Sequence, residues 1–130
     1  MNTFNDFKIK KQLLNAVSDL GLKNPTPIQQ ESYAPILGGF DFVGIAQTGT
    51  GKTMAYMLPI LQDLKYSEQK HPRVLVMVPT RELVIQIVGQ IEKLTPNISI
   101  RVLGVYGGSS NINTQKQAIV EGLDIIVGTP

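Results

Sequence analysis

Eight consecutive residues hold the densest chemistry in the chain: Ala46-Gln47-Thr48-Gly49-Thr50-Gly51-Lys52-Thr53. Gly49 and Gly51 let the backbone turn so that successive amide N–H groups face one centre, where a following helix adds the positive end of its dipole. Such a loop binds phosphate. Lys52 brings a charge for the β- and γ-phosphates of a nucleotide, and the Thr53 hydroxyl is placed to ligate Mg²⁺. Ala46 stands where the general pattern has its first Gly. A match this loose arises by chance on the order of one time in a hundred in a chain of this length. A turn that merely preceded a helix would not need Lys52 and Thr53 together, so the expectation is nucleotide binding.

Other stretches carry groups suited to phosphates. In Pro79-Thr80-Arg81-Glu82-Leu83-Val84, Thr80 can cap a helix whose first turn presents a hydroxyl, free N–H groups and a dipole, and Arg81 adds charge. A capped amphipathic helix with Arg81 and Glu82 merely solvated accounts for the same residues. Gly107-Gly108 and Thr129-Pro130 are weak alone, since a Gly pair after a strand is usually just a turn. Lys8, Lys10 and Lys11 read as a solvated helix face, and His71 as an exposed loop residue.

Elements must hold these groups. Leu13, Leu14, Val17 and Leu20 have helical spacing and Gly21 is a natural C-terminal cap, which predicts a helix near 10–20. Thr26 opens a second helix, with Pro27 at its first position and Gln29 completing a capping box; Gly38-Gly39 ends it. Asp41–Ala46, with Val43 and Ile45, reads as a short strand entering the Gly-rich turn. An apolar helix follows from about Lys52 to Leu64, kinked at Pro59. Val74–Val78 reads as a buried strand, and Thr80 caps a helix whose Leu83, Ile87, Ile91 and Leu94 share one face. Ile98–Tyr106 is a third strand, Asn111–Glu121 a weaker helix and Ile125–Val127 a fourth strand. Strands alternating with helices imply right-handed crossovers, hence an α/β fold with a mainly parallel sheet and helices on both faces.

Composition removes other classes. With 130 residues, 42% apolar and 17% charged, the chain can build the core of one soluble domain. No apolar run reaches about 18 residues, so no transmembrane helix is expected, and the opening has no secretory h-region. The absence of Cys excludes disulfides, iron–sulfur clusters and thiolate zinc sites, and one His excludes an all-histidine metal site. The expected location is intracellular. A net charge of +2, split evenly between the two parts of the chain, gives no nucleic-acid patch by itself.

Gly21-Leu22-Lys23-Asn24-Pro25-Thr26-Pro27-Ile28-Gln29 ends 17 residues before Ala46, and Phe4 lies 17 positions before Gly21. With the phosphate loop, with Pro79–Ile87, with Gly107-Gly108 and with Thr129-Pro130 in this order, the chain resembles the DEAD-box family of ATP-dependent RNA helicases from Phe4 to Pro130. A helix cap alone would also explain Thr26–Gln29, and packing alone would explain Phe4. The resemblance implies a partial RecA-like domain over 1–130, with an adenine-recognition segment in 1–30 and a P-loop core in 41–130. It implies that Phe4 stacks on adenine, that Gln29 reads the base edge with an amide able to donate and accept, and that Ala46–Thr53 holds ATP with Mg²⁺ on Thr53. It implies that Pro79, Thr80, Arg81, Gly107, Gly108, Thr129 and Pro130 meet RNA phosphates along one edge of the sheet. Leu22 departs from the family's aromatic residue and Val84 from its Ala.

The family's Asp-Glu-Ala-Asp strand, Ser-Ala-Thr motif and second similar domain do not occur in these residues. Phosphoryl transfer rests on positioned charge and water, so this chain alone is expected not to hydrolyse ATP. The parent protein is expected to be cytoplasmic and to unwind or remodel RNA with little sequence preference, using ATP, with no membrane partner. Another P-loop enzyme, such as a DNA translocase or a small-molecule kinase, and a non-enzymatic nucleotide-binding chain are the alternatives. Adenine selectivity through Gln29 and preference for RNA over DNA discriminate among them. A further expectation is that Asp41–Ala46 lacks a neighbouring strand, leaving Val43, Ile45 and the Val74–Val78 run incompletely buried and the chain marginally stable or self-associating.

Overall fold

Thr26 and Thr80 cap the starts of two helices, and Gly21 and Gly38 stand at the ends of two. The computed structural model describes residues 3–107 and 112–130, and the chain forms two compact units, Met1–Lys65 and Tyr66–Pro130. Asn111 and Gly108 lie outside the described residues. No helix among the described residues is long and apolar enough to cross a membrane.

The first unit is helical. A 3₁₀ turn, Phe4–Phe7, which sequence spacing did not foresee, is capped by Thr3, whose N–H donates to Asp6 Oδ2 at 3.1 Å. Helix α1, Lys11–Asp19, buries Leu13, Ala16 and Val17 and is stopped by Gly21 at φ +77°. Helix α2, Pro27–Leu37, begins at the expected Thr26 box: Gln29 N–H donates to Thr26 Oγ1 at 3.4 Å, and Thr26 N–H to Gln29 Oε1 at 2.9 Å. Helix α3, Lys52–Asp63, runs through Pro59 without interruption. Having no N–H, Pro59 leaves the Ala55 carbonyl without its helical donor. The buried Ser32 hydroxyl of α2 supplies one instead, at 2.6 Å, so the proline becomes a fastening point between the two helices.

Asp41–Ala46 is not a strand. The segment has no regular structure, and Val43 and Ile45 are 89% and 93% exposed. An apolar run becomes a strand only through a backbone ladder, and no strand among the described residues pairs with it.

The second unit is α/β. Strands β1 (Val74–Met77), β2 (Val102–Val105) and β3 (Ile125–Gly128) form a parallel sheet in the order β1-β3-β2, with Val74 and Val102 both opposite Ile125. Strand β2 is shorter than the expected Ile98–Tyr106 because its ladder spans only the four residues that β3 offers. Helix α4, Arg81–Leu94, connects β1 to β2, and α5, Ile112–Glu121, connects β2 to β3. The two connections run in opposite directions across the sheet, so right-handed crossovers put the helices on opposite faces. Ile125 and Val127 on β3 are fully buried with Val84 and Ile91 of α4, while Leu75 and Met77 on the other face of β1 are exposed.

Val84, where the family pattern has Ala, reaches the sheet because β2 offers Gly104. A Cβ at residue 104 would stand 2.9 Å from Val84 Cγ1 and 3.2 Å from Val88 Cγ2. Gly104→Ala is therefore expected to destabilise the unit by about 1–3 kcal/mol through overpacking, read as a lower urea midpoint with an unchanged slope. Pairing it with Val84→Ala should restore most of the loss; failure to do so would place the strain elsewhere.

Candidate nucleotide site and nucleic-acid interface

In the first unit the loop Ala46–Thr53 turns at Gly49 and Gly51, with φ of +83° and +78°, a region open to glycine at little cost. Gly51 is the N-cap of α3, so the first N–H groups of that helix face the loop. Lys52 is the first helical residue and not a loop residue; its Nζ donates to the Ala46 carbonyl at 2.9 Å across the loop. The Thr50 hydroxyl donates to the Gln47 carbonyl at 2.6 Å, tightening the same turn.

Gln29 is buried and braces this loop. Its Oε1 takes the Thr26 N–H, and its Nε2 donates to the Gly51 carbonyl at 3.1 Å. A Cβ on residue 51 would collide with the Gln29 amide. One Gln29 N–H and one carbonyl lone pair remain after these bonds. Thr53 lies one turn before Tyr56, whose pKa burial pushes up against the opposing effect of a hydrogen bond with Thr53. No cluster of three His, Cys, Asp or Glu occurs among the described residues. The hydroxyl of Thr53, the second residue of α3, is of a kind that can ligate Mg²⁺.

Phe4 is buried, edge-on to Phe7 at 5.6 Å, and Phe7 stacks on Tyr33 at 4.6 Å. Phe4 lines a cleft of 380 Å³ with Leu14, Val17, Leu22 and Lys23.

In the second unit, three stretches separated in sequence meet at the carboxyl ends of the strands. The exposed Thr80 caps α4, its Oγ1 accepting the Leu83 N–H at 3.2 Å, and Pro79 and Arg81 flank it. Gly107 follows β2 by way of Tyr106. Thr129 follows β3, its N–H donating to the Val105 carbonyl at 3.2 Å, with Pro130 next to it. The Arg81 guanidinium lies 5.1 Å from the centroid of the Tyr106 ring, bridging the first two stretches.

The amino ends of the same strands carry a different cluster, which no local spacing announced. Asp124, 2% exposed, accepts from Arg73 Nη2 at 2.9 Å, Gln69 Nε2 at 3.0 Å, Arg101 Nη2 at 3.2 Å and the Arg101 N–H at 2.9 Å. Burial pushes the Asp124 carboxyl up, but the Arg101 side chain and N–H, with Gln69 and Arg73, outweigh it and hold the pKa well below the usual carboxylate range.

Among known proteins, the model of the DEAD/DEAH box helicase family matches residues 26–130. The chain is 45% identical over 129 residues to a protein of Haemophilus influenzae named ATP-dependent RNA helicase DeaD, covering 98% of this chain and 21% of that one. It is 42% identical to the Escherichia coli K12 protein of the same name, covering 98% and 20%. A crystal structure of a DEAD box protein from the hyperthermophile Methanococcus jannaschii superposes with a TM-score of 0.90 at 32% identity, covering all of this chain and 35% of that one. The chain spans about a fifth of the length of these curated relatives. It belongs to the DEAD/DEAH box helicase family.

Proposed function

We propose that this chain is the part of an ATP-dependent RNA helicase that grips ATP in its first unit and RNA phosphates in its second. The observation that carries the reading is the meeting of Pro79–Arg81, Gly107 and Thr129-Pro130 at the carboxyl edge of one parallel sheet, the edge at which α/β folds bind ligands. Gly108 and Mg²⁺ on Thr53 belong to the proposal through the family. The backbone N–H groups of Ala46–Thr53 hold the phosphates, and Lys52 exchanges the Ala46 carbonyl for phosphate oxygen. The remaining amide N–H and lone pair of Gln29 meet the adenine edge. Phe4 enters as a wall of the neighbouring cleft and not as an exposed stacking platform. The whole protein couples ATP hydrolysis to unwinding or remodelling RNA, in the cytoplasm, through backbone contacts with little sequence preference.

The test is ATP hydrolysis by the parent protein, which carries the rest of the helicase, with single-stranded RNA, with DNA of the same sequence, or with neither. Stimulation by RNA alone is expected. Equal stimulation by DNA would favour a translocase, and absence of nucleotide binding would overturn the reading. Within it, Gln29→Ala is expected to weaken adenosine nucleotides about tenfold more than guanosine nucleotides, the worth of one hydrogen-bonded base edge. Equal loss for both bases would reduce Gln29 to its brace on Gly51.

A further inference from the structure

Arg81 opens α4, where the helix dipole is unfavourable to a cation, and it is exposed. Its side chain forms no ion pair and no hydrogen bond among the described residues; its contact is the face of Tyr106 at 5.1 Å. A carboxylate partner would have consumed the guanidinium N–H donors. An aromatic face restrains the group while leaving every donor and the full charge available. Tyr106 is half-buried at the end of β2, so its ring is held by the sheet while Arg81 is otherwise free to follow solvent.

We propose that Tyr106 is a positioning residue that holds Arg81 over the carboxyl edge of the sheet, aligned in advance for a phosphate of the RNA backbone. This rests on the reading of that edge as an RNA-phosphate surface. An exposed contact of this kind is worth roughly a two- to fivefold change in affinity. The test measures binding of a fluorescein-labelled oligouridine to the full chain across a salt series, for Tyr106→Leu, Tyr106→Phe, Arg81→Ala and the Tyr106→Leu/Arg81→Ala pair.

Tyr106→Leu is expected to weaken binding about two- to fivefold and Tyr106→Phe, which keeps the ring face, to restore it. Arg81→Ala should flatten the slope of log K against log salt by about 0.7, the value of one phosphate contact on a single strand, and Tyr106→Leu should flatten it in the same direction. In the Arg81→Ala background Tyr106→Leu should have no further effect. An additive loss there, or an unchanged slope in Tyr106→Leu, would overturn the proposal and point to contact of the tyrosine ring with a base. Absence of RNA binding by the unaltered chain would overturn the RNA reading itself, and this proposal with it.

Discussion

Asp124→Ala is expected to cost the second unit about 3 kcal/mol, the largest stability change of any single substitution proposed for this chain. Removing one member of a buried ion cluster leaves the others uncompensated, which typically costs about 3–5 kcal/mol. Arg73 and Arg101 keep 23% and 37% side-chain exposure, so water relieves part of the loss and the low end applies. Asp124→Asn, which keeps the shape and loses the charge, should cost less than Asp124→Ala. Urea unfolding at pH 7 measures both, and a loss below about 1 kcal/mol would show that the cluster does not hold the sheet. The pH dependence has a definite sign. Because the folded pKa is depressed below an unfolded value near 3.9, the contribution is fully present above about pH 5 and declines as pH falls through 4 and below. The gap between the unaltered chain and Asp124→Asn should therefore narrow from pH 5 to pH 2.

In the parent protein, Lys52→Ala is expected to be the most damaging change to activity. Its Nζ is the one side-chain cation bonded within the phosphate loop among the described residues, and a hydrogen bond to a charged group is worth about 1.5–3 kcal/mol, on the order of ten- to a hundredfold in ATP affinity. Loss of a donor aimed at charge that develops during phosphoryl transfer costs more, about 10²–10³ in turnover. Because Lys52 is exposed, the unfolding free energy should change by no more than about 0.5 kcal/mol. Undiminished nucleotide binding and turnover with the fold intact would show that the loop does not act on phosphate.

Legibility in the sequence followed the range of the interaction. The Thr26 and Thr80 caps, the stop at Gly21 and the apolar face of Leu83, Ile87, Ile91 and Leu94 are local, and the helices stand within a few residues of where those signals put them. The turn of the Ala46–Thr53 loop is local too, and Gly49 and Gly51 have the positive φ that such a turn asks of glycine. Val74–Val78 was legible as a strand because its neighbour β3 is present; Asp41–Ala46 has the same apolar character without a partner, and apolar character does not make a ladder. The bond from Ser32 to the Ala55 carbonyl could have been sought from Pro59, since a proline inside a helix orphans one carbonyl. The Asp124 cluster and the Arg81–Tyr106 contact join residues 23 to 55 positions apart in one case and 25 in the other, across folded elements that carry no shared period. Only the topology brings them together.

The strand order has a consequence for synthesis. Among the described residues, strands β1 and β2 do not pair with each other; each pairs with β3, which comes last of the three. Asp124 follows Arg73 by 51 residues, so at about 5–20 residues per second the ribosome delivers β1 roughly 3–10 s before β3, its partner among the described residues. During that interval the Val74–Met77 backbone stands unpaired on a nascent chain, and the carboxylate that gathers the arginines has not yet been made. Among the described residues the sheet therefore closes only when Asp124 and β3 arrive, and a chain cut between residues 105 and 124 would carry two apolar strands without the strand they both pair with.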